Sequence, residues 1–130
     1  MRDILIVDDS KAMRNFLRRA LSMTSMDIGS IFEAENGLDA LDKLDEHRVD
    51  VIFSDINMPV MDGAVFVGEL AKNPAKASIP VIVVSTDSSA ERRSQMQALG
   101  AKGYIAKPFS PESLEVEIAR LLWEASDDES

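Results

Sequence analysis

The chain has 130 residues, 45% of them apolar, which corresponds to about one domain with enough apolar residues for a hydrophobic core. Its formal net charge of −9 argues against a duplex nucleic acid as a partner, because Lys and Arg contacts with phosphates supply most of that affinity. The chain lacks cysteine, which excludes disulfides and thiolate metal sites, and no apolar run approaches the roughly 20 residues that span a bilayer, so we expect a cytoplasmic protein outside the membrane.

Runs of β-branched and aliphatic residues alternate along the chain with segments of helical periodicity. This alternation predicts a parallel sheet with helices on both of its faces. We expect strands near residues 3–7, 30–34, 50–54, 80–84 and 102–106. We expect helices from about Lys11 to Met23, around residues 38–44, from Gly63 to just before Pro74, from about Ser89 to Leu99, and from Pro111 behind a Ser110 cap.

The first helix is expected to bury a stripe that includes Phe16 and Leu17. No linker, repeat or low-complexity stretch divides the sequence. We therefore predict one domain over residues 1–125, followed by a short, disordered acidic tail over residues 126–130.

Polar side chains stand at the ends of four of the predicted strands. Asp8 and Asp9 follow the first strand, Asp55 the third, Ser85 the fourth and Lys107 the fifth. Each has an ordinary structural interpretation, as a helix cap, a turn residue, a strand end or a solvated lysine. Those interpretations explain one position at a time. Ligands and chemistry collect at the carboxyl ends of parallel strands, which would bring three acids, a hydroxyl and an amine together.

Four segments occur in an order and spacing that resemble the receiver domain of two-component response regulators. They are residues 7–10 (VDDS), 54–63 (SDINMPVMDG), 84–86 (VST) and 104–109 (YIAKPF). The resemblance covers almost the whole chain. It implies an α/β, flavodoxin-like (CheY-like) fold, in which a doubly wound sheet of five parallel strands in the order 2-1-3-4-5 is flanked by five helices.

The resemblance also implies a Mg²⁺ site at this edge of the sheet. Three neighbouring carboxylates repel one another, and a hard divalent cation relieves that repulsion while leaving room for phosphate oxygens. By the resemblance, Asp9 and Asp55 ligate the metal directly and the backbone carbonyl of Asn57 adds a third protein ligand. Asp8 acts mainly through water.

In such a site Asp55 is the phosphoacceptor, whose carboxylate attacks phosphorus to form an acyl phosphate. Phosphoryl transfer requires positioning and charge stabilisation on the equatorial oxygens, and the metal, the Lys107 ammonium and the Ser85 hydroxyl are each expected to meet one of them. In the family, an aromatic residue at the position of Tyr104 turns inward when the hydroxyl at the position of Ser85 moves toward the phosphoryl group. We therefore expect Ser85 and Tyr104 to form a switch.

These inferences predict a stand-alone, monomeric phosphorylation switch that catalyses only its own phosphorylation and dephosphorylation. Its phosphodonor would be a histidine kinase or a phosphotransfer protein, and its target a protein bound through the fourth helix, fifth strand and fifth helix. The expected pathway is chemotaxis or motility signalling. The first helix carries four basic residues suited to docking the donor: Lys11, Arg14, Arg18 and Arg19.

Three alternatives remain open from the sequence. The nearest is a relay intermediate that passes its phosphoryl group to a histidine phosphotransfer protein. A phosphatase of the haloacid-dehalogenase type also uses a Mg²⁺-assisted aspartate nucleophile, but it requires Asp-x-Asp after the first strand, where this chain has adjacent Asp8 and Asp9. A flavodoxin shares the expected fold, but no Ser/Thr/Gly-rich phosphate loop follows the first strand.

Overall fold

The computed structural model describes the backbone of residues 1–129, and the surroundings of the side chains as far as Leu121. Strands and helices alternate in five successive pairs. The strands are β1 (Arg2–Val7), β2 (Ile28–Ala34), β3 (Val51–Ser54), β4 (Val81–Ser85) and β5 (Gly103–Ala106). The helices are α1 (Lys11–Ser22), α2 (Gly37–Glu46), α3 (Gly63–Lys72), α4 (Ala90–Leu99) and α5 (Pro111–Glu129). The expected order of strands and helices is confirmed, and no expected boundary differs from the observed one by more than two residues.

The five strands form one parallel sheet in the order β2-β1-β3-β4-β5, as the resemblance implied. Val7 at the end of β1 pairs with Ser54 at the end of β3, which in turn pairs with Val83 near the end of β4. The strands therefore terminate at nearly the same level. This register delivers the residues after each strand to one edge of the sheet.

Two apolar layers cover the faces of the sheet, because successive side chains of a strand point to opposite faces. On one face, β-strand residues such as Leu5, Ile52 and Val83 pack against α2, α3 and α4. On the other, residues such as Phe53 pack against α1 and α5. Phe53 is fully buried, and burial of a side chain of this size contributes about 1.5–3 kcal/mol. The central strands are thus rigid supports for the residues at their ends.

Helix termini follow the sequence signals closely. Ser10 caps α1 by accepting a hydrogen bond from the Met13 amide at 3.2 Å, and Ser110 accepts one from the Ser113 amide at 3.1 Å. Gly100 ends α4 with a φ of 124°, a conformation that side chains other than glycine adopt at a cost. Because Ser10 alone provides the side-chain cap of α1, capping does not account for the two acids that precede it.

The expected buried stripe of α1 is correct for Leu17 but not for Phe16. Leu17 is buried, whereas Phe16 remains 44% exposed and packs edge-on against Phe109, with ring centroids 5.4 Å apart. Phe16 lies where α1 passes the loop between β5 and α5, which covers only part of the ring.

The backbone of α5 continues as helix through Glu129, so no break in secondary structure marks residue 126. The side chains after Leu121, and residue 130, lie outside the described residues, and the expected disordered tail stays a prediction. None of the described helices combines the length and the apolar character that crossing a membrane requires.

Candidate functional site

Asp55 lies immediately after β3, on a loop that folds back tightly against it. Its amide donates to the Val7 carbonyl at 2.9 Å, and its Oδ1 accepts a hydrogen bond from the Ile56 amide at 2.7 Å. Gly63 passes so close that a Cβ atom there would lie 2.2 Å from the Asp55 carbonyl oxygen. The carboxylate is therefore held by its own backbone and by a glycine that permits the loop to close.

Three carboxylates meet at this edge of the sheet. One oxygen from each of Asp8, Asp9 and Asp55 lies within 4.8 Å of the other two. Asp8 is buried, Asp55 is partly buried and Asp9 is exposed. Burial raises the pKa of Asp55 above its ordinary value, and the nearby Asp8 charge adds to the increase, although the Lys107 ammonium and the Ile56 amide act against it. Ionisation of Asp55 is therefore less favourable in the folded protein than in water.

The Lys107 ammonium partly compensates for that charge. Its Nζ lies 3.1 Å from Asp8 Oδ2 and 3.3 Å from Asp55 Oδ2, and only 11% of its side chain is exposed. The Lys107 amide donates to the Ser85 carbonyl at 2.8 Å, which anchors the residue just after β5, and the Lys107–Pro108 peptide bond is cis. Lys107 is therefore not the solvated lysine of the alternative interpretation.

Ser85 and Tyr104 are linked through a residue between them. Ser85 is fully buried, and its Oγ accepts a hydrogen bond from the Asp87 amide at 3.2 Å. The Tyr104 hydroxyl donates to the carbonyl of the same Asp87, and the Arg93 guanidinium lies 4.8 Å from the centre of the Tyr104 ring. The sequence pointed to Ser85 and Tyr104 as a pair, but it did not indicate that the Asp87 backbone connects them.

Asn57 is exposed on the loop after β3. Among the described residues, no hydrogen bond is made to its carbonyl oxygen, which is the atom expected to bind metal. Within the described residues, the Ser85 hydroxyl makes no hydrogen bond with Asp55, and its oxygen accepts from the Asp87 amide instead. The fold thus brings the three acids and Lys107 together directly, whereas the roles expected of Asn57 and Ser85 stay predictions.

The arrangement of donors fits a small, hard cation. Mg²⁺ prefers oxygen ligands at about 2.1 Å, so two ligands on opposite sides of the ion are roughly 4.2 Å apart. The carboxylate oxygens, within 4.8 Å of one another, need only small side-chain adjustments to reach such an arrangement. The exposure of Asp9 leaves one side open to water and to a phosphoryl group, as Mg²⁺ sites usually require.

Arg14 and its partner Glu33 support the site, but neither was identified from the sequence as part of it. Arg14 of α1 donates from Nη1 to the Asp8 carbonyl at 2.7 Å and from Nε to Glu33 Oε1 at 2.8 Å. Arg18 donates to the other Glu33 oxygen at 2.8 Å. Two of the four basic residues expected to form a docking face are thus paired within the protein. The sequence alone does not show that Glu33 of β2 pairs with Arg14 and Arg18, because this pairing depends on how α1 packs against β2.

These features together define a receiver domain, and comparison with known proteins agrees. The sequence model of the response regulator receiver domain matches residues 4–119, so the chain belongs to that family. The chain is 32% identical over 120 residues to the chemotaxis protein CheY1 of Helicobacter pylori, covering 92% of this chain and 95% of that protein.

Solved structures give the same result. The chemotaxis response regulator CheY4 of Vibrio cholerae has a TM-score of 0.82 and 35% identity, covering 92% of this chain and 98% of that chain. The receiver domain of a signal transduction histidine kinase from Syntrophus aciditrophicus has a TM-score of 0.81 and 31% identity, covering 95% and 92%. The chain is therefore a CheY-like response regulator receiver of the kind found in two-component signalling, and receivers of this kind act as signalling switches.

Proposed function

We propose that this protein is a response regulator whose Asp55 accepts a phosphoryl group in the presence of Mg²⁺ and thereby switches a protein-binding surface. The observation that carries the proposal is the contact of the Asp55 carboxylate with the Lys107 ammonium, within 4.8 Å of the Asp8 and Asp9 carboxylates. A helix cap, a turn or a solvated lysine would not require this convergence of residues from three strand ends.

The proposed reaction is an in-line displacement on a phosphorylated histidine. An Asp55 carboxylate oxygen attacks phosphorus, the bond between phosphorus and the imidazole nitrogen breaks, and an acyl phosphate forms on Asp55. The Ile56 amide holds Oδ1, which leaves Oδ2 on the side of Lys107. The ammonium then exchanges part of its contact with the carboxylate for a contact with a phosphoryl oxygen, where charge stabilisation has its largest effect.

Asp9 and Asp55 would hold the cation directly, together with the Asn57 carbonyl, and Asp8 would act through water. Bound Mg²⁺ supplies charge neutralisation between the carboxylates and the incoming phosphoryl group. Asp8 is already engaged by Lys107 at 3.1 Å and by the Ser10 amide at 2.9 Å. The Asp9 carboxylate has no such partner among the described residues, which supports its assignment as the direct ligand.

The proposed switch runs through the loop between β4 and α4. A phosphoryl group on Asp55 would attract the Ser85 hydroxyl through a charge-assisted hydrogen bond, worth about 1.5–3 kcal/mol. Moving Ser85 withdraws its oxygen from the Asp87 amide, and the Asp87 carbonyl in turn holds Tyr104. Tyr104 also borders a groove of about 360 Å³ between α4 and α5. This chain of contacts would convert a local charge into a change in that groove.

The groove is where we propose that a downstream protein binds. Its lining carries Arg93 and Lys102, together with Arg120, which is paired with Glu117 at 2.7 Å. The lining therefore has an excess of positive charge, which an acidic segment of the target would complement. Val116 of α5 is 69% exposed and offers an apolar contact beside it. We propose chemotaxis or motility signalling as the pathway and a monomer as the resting state, and the cytoplasmic location stays a prediction.

A relay intermediate would use the same site and would differ in passing its phosphoryl group to a second histidine protein. Phosphorylation by acetyl phosphate distinguishes the main classes of function. Incubation with acetyl phosphate and Mg²⁺, followed by intact-mass analysis, should add one phosphoryl group to the wild type, and none after chelation of the metal or in Asp55→Asn. Sustained turnover of a chromogenic phosphate ester would instead indicate a phosphatase and contradict the proposal. Transfer from the phosphorylated protein to a phosphotransfer protein would favour the relay.

A further inference from the structure

Arg14 connects α1, β2 and the loop that carries two of the three acids. Its Nη1 donates to the Asp8 carbonyl at 2.7 Å, while its Nε donates to Glu33 Oε1 at 2.8 Å. Glu33 is fixed in turn by Arg18, which donates to Oε2 at 2.8 Å. Only 15% of the Arg14 side chain is exposed. The guanidinium is therefore a largely buried clamp that binds Glu33 of β2 with one edge and the Asp8 carbonyl next to the site with the other.

The carbonyl held by Arg14 belongs to the peptide group that joins Asp8 to Asp9. Asp8 is fixed independently, because its amide donates to the Ala34 carbonyl at 3.0 Å and its carboxylate accepts from the Ser10 amide at 2.9 Å. Within the part of the chain that the structure describes, the Asp9 carboxylate is exposed and has no hydrogen-bond partner. The direction of the Asp9 side chain therefore depends on the orientation of its backbone, which the contact from Arg14 sets.

We propose that Arg14, oriented by Glu33, is a positioning residue for the Asp9 carboxylate and raises the affinity of the site for a divalent cation. The inference rests on the proposed function for the identity of the bound ion. Partners of this kind, one step removed from the metal, typically change metal affinity by 10- to 100-fold when they are removed. We expect Arg14→Ala to weaken Mg²⁺ binding by about 10-fold.

The direction in which Mg²⁺ affinity changes in Arg14→Ala distinguishes a positioning role of Arg14 from a purely electrostatic effect of its charge. Arg14 is a cation close to a cation-binding site, so the loss of its charge would by itself strengthen Mg²⁺ binding. Positioning predicts weaker binding. Arg14→Lys separates the two further, because it keeps the charge but replaces the planar guanidinium, which reaches Glu33 and the Asp8 carbonyl together, with a single ammonium. Positioning predicts that Arg14→Lys also binds Mg²⁺ several-fold more weakly than the wild type.

Two arginines of α1 provide matched controls. Arg19 is exposed and has no side-chain hydrogen bond or ion pair among the described residues, so Arg19→Ala removes the same charge from the same helix without breaking a hydrogen bond to the loop. Arg18→Ala removes one contact with Glu33 but leaves the contact between Arg14 and Asp8. We expect Mg²⁺ affinity within about twofold of the wild type for Arg19→Ala, and a smaller loss for Arg18→Ala than for Arg14→Ala.

The test is a Mg²⁺ titration of the metal-free full chain, followed by amide NMR shifts. Amide hydrogen exchange is measured before metal is added at Asp8 and Ser10, whose amides are hydrogen-bonded to the Ala34 carbonyl and the Asp8 carboxylate. Weaker binding and faster exchange in Arg14→Ala, with Arg14→Lys also impaired, support the proposal. Unchanged or tighter binding in Arg14→Ala, or an equal loss in Arg18→Ala, overturns it. If Arg14→Ala does not fold, Arg14→Lys gives the same decision.

The two proposals fail in different ways. A wild type that binds no Mg²⁺ contradicts the proposed function. In that case faster exchange of the Ser10 amide, which is hydrogen-bonded to the Asp8 carboxylate, in the metal-free Arg14→Ala protein still supports the positioning role, and unchanged exchange overturns it.

Discussion

Replacement of Lys107 by methionine should destabilise the metal-free protein far more than the loss of an ordinary lysine. Lys107, Asp8 and Asp55 have side chains that are only 11%, 7% and 13% exposed. Removing one member of a buried ion pair typically costs 3–5 kcal/mol, because the remaining charge is left uncompensated. Methionine retains the apolar stem of lysine, so the change isolates the ammonium.

The magnitude follows from the geometry. At separations of 3.1 and 3.3 Å, each pair has a gross attraction of about 5 kcal/mol at an effective dielectric constant of about 20. The cost of desolvating the ammonium offsets much of this sum, and we expect a net loss of about 3 kcal/mol. In the Asp55→Asn background Lys107 has lost one of its two partners, so the same replacement should cost about 1–2 kcal/mol less.

Urea unfolding of the two single variants and the double variant, with the metal chelated, measures this coupling. Lys102→Met is the matched control, because Lys102 is an exposed lysine just before β5. Saturating Mg²⁺ should stabilise Lys107→Met more than the wild type, since the cation replaces the missing positive charge. A coupling free energy below about 0.5 kcal/mol between Lys107→Met and Asp55→Asn would refute the claim that Lys107 compensates the charge of the acids. A loss of stability in Lys107→Met no larger than in Lys102→Met would refute it too.

Three further predictions test other parts of the site. Because burial raises the pKa of Asp55, ionisation of Asp55 lowers the stability of the folded protein. Asp55→Asn should therefore have a larger free energy of unfolding than the wild type near neutral pH without metal. Urea unfolding across the acid range should show this gain disappear as pH falls below the ordinary aspartate pKa. A gain that persists in acid would contradict this origin. Ser85→Ala should leave Asp55 phosphorylatable but uncouple it from Tyr104. Amide NMR with a beryllofluoride mimic of the phosphoryl group checks this. Identical shifts around Tyr104 and α4 in the wild type and in Ser85→Ala would exclude a role for the hydroxyl. Gly63→Ala should destabilise the fold by about 3 kcal/mol or more, since its Cβ would lie 2.2 Å from a backbone oxygen. Gly68→Ala is the control, because its Cβ would meet no atom closer than 3.9 Å, and it should be neutral or stabilising. Thermal unfolding of the two variants tests both expectations.

The sequence predicted the fold and the membership of the acidic cluster because both depend on local patterns. Apolar runs ending before Asp8 and Asp55 place these residues at strand ends, and the alternation of strands with helices predicts that the sheet is parallel. The family resemblance added the strand order, which apolar periodicity does not determine.

Contacts between elements that are distant in the sequence were beyond sequence reasoning. The clamp from Arg14 to Glu33 depends on how α1 packs against β2. The link from Ser85 to Tyr104 passes through the backbone amide and carbonyl of Asp87, which any residue type except proline would provide. Phe16 fits the helical stripe, yet it is partly exposed because only a loop covers that end of α1. Side-chain type predicts such packing poorly, since it is set by the geometry of the neighbouring element.

Chemical trapping of the phosphorylated residue tests the central claim most directly. After incubation with Mg²⁺ and acetyl phosphate, borohydride reduces an aspartyl phosphate to homoserine, and peptide mass mapping identifies the converted position. We predict conversion at Asp55 alone, and none when the metal is chelated. Conversion at Asp8 or Asp9, or phosphorylation that leaves no reducible acyl phosphate, would contradict the assignment of Asp55 as the phosphoacceptor.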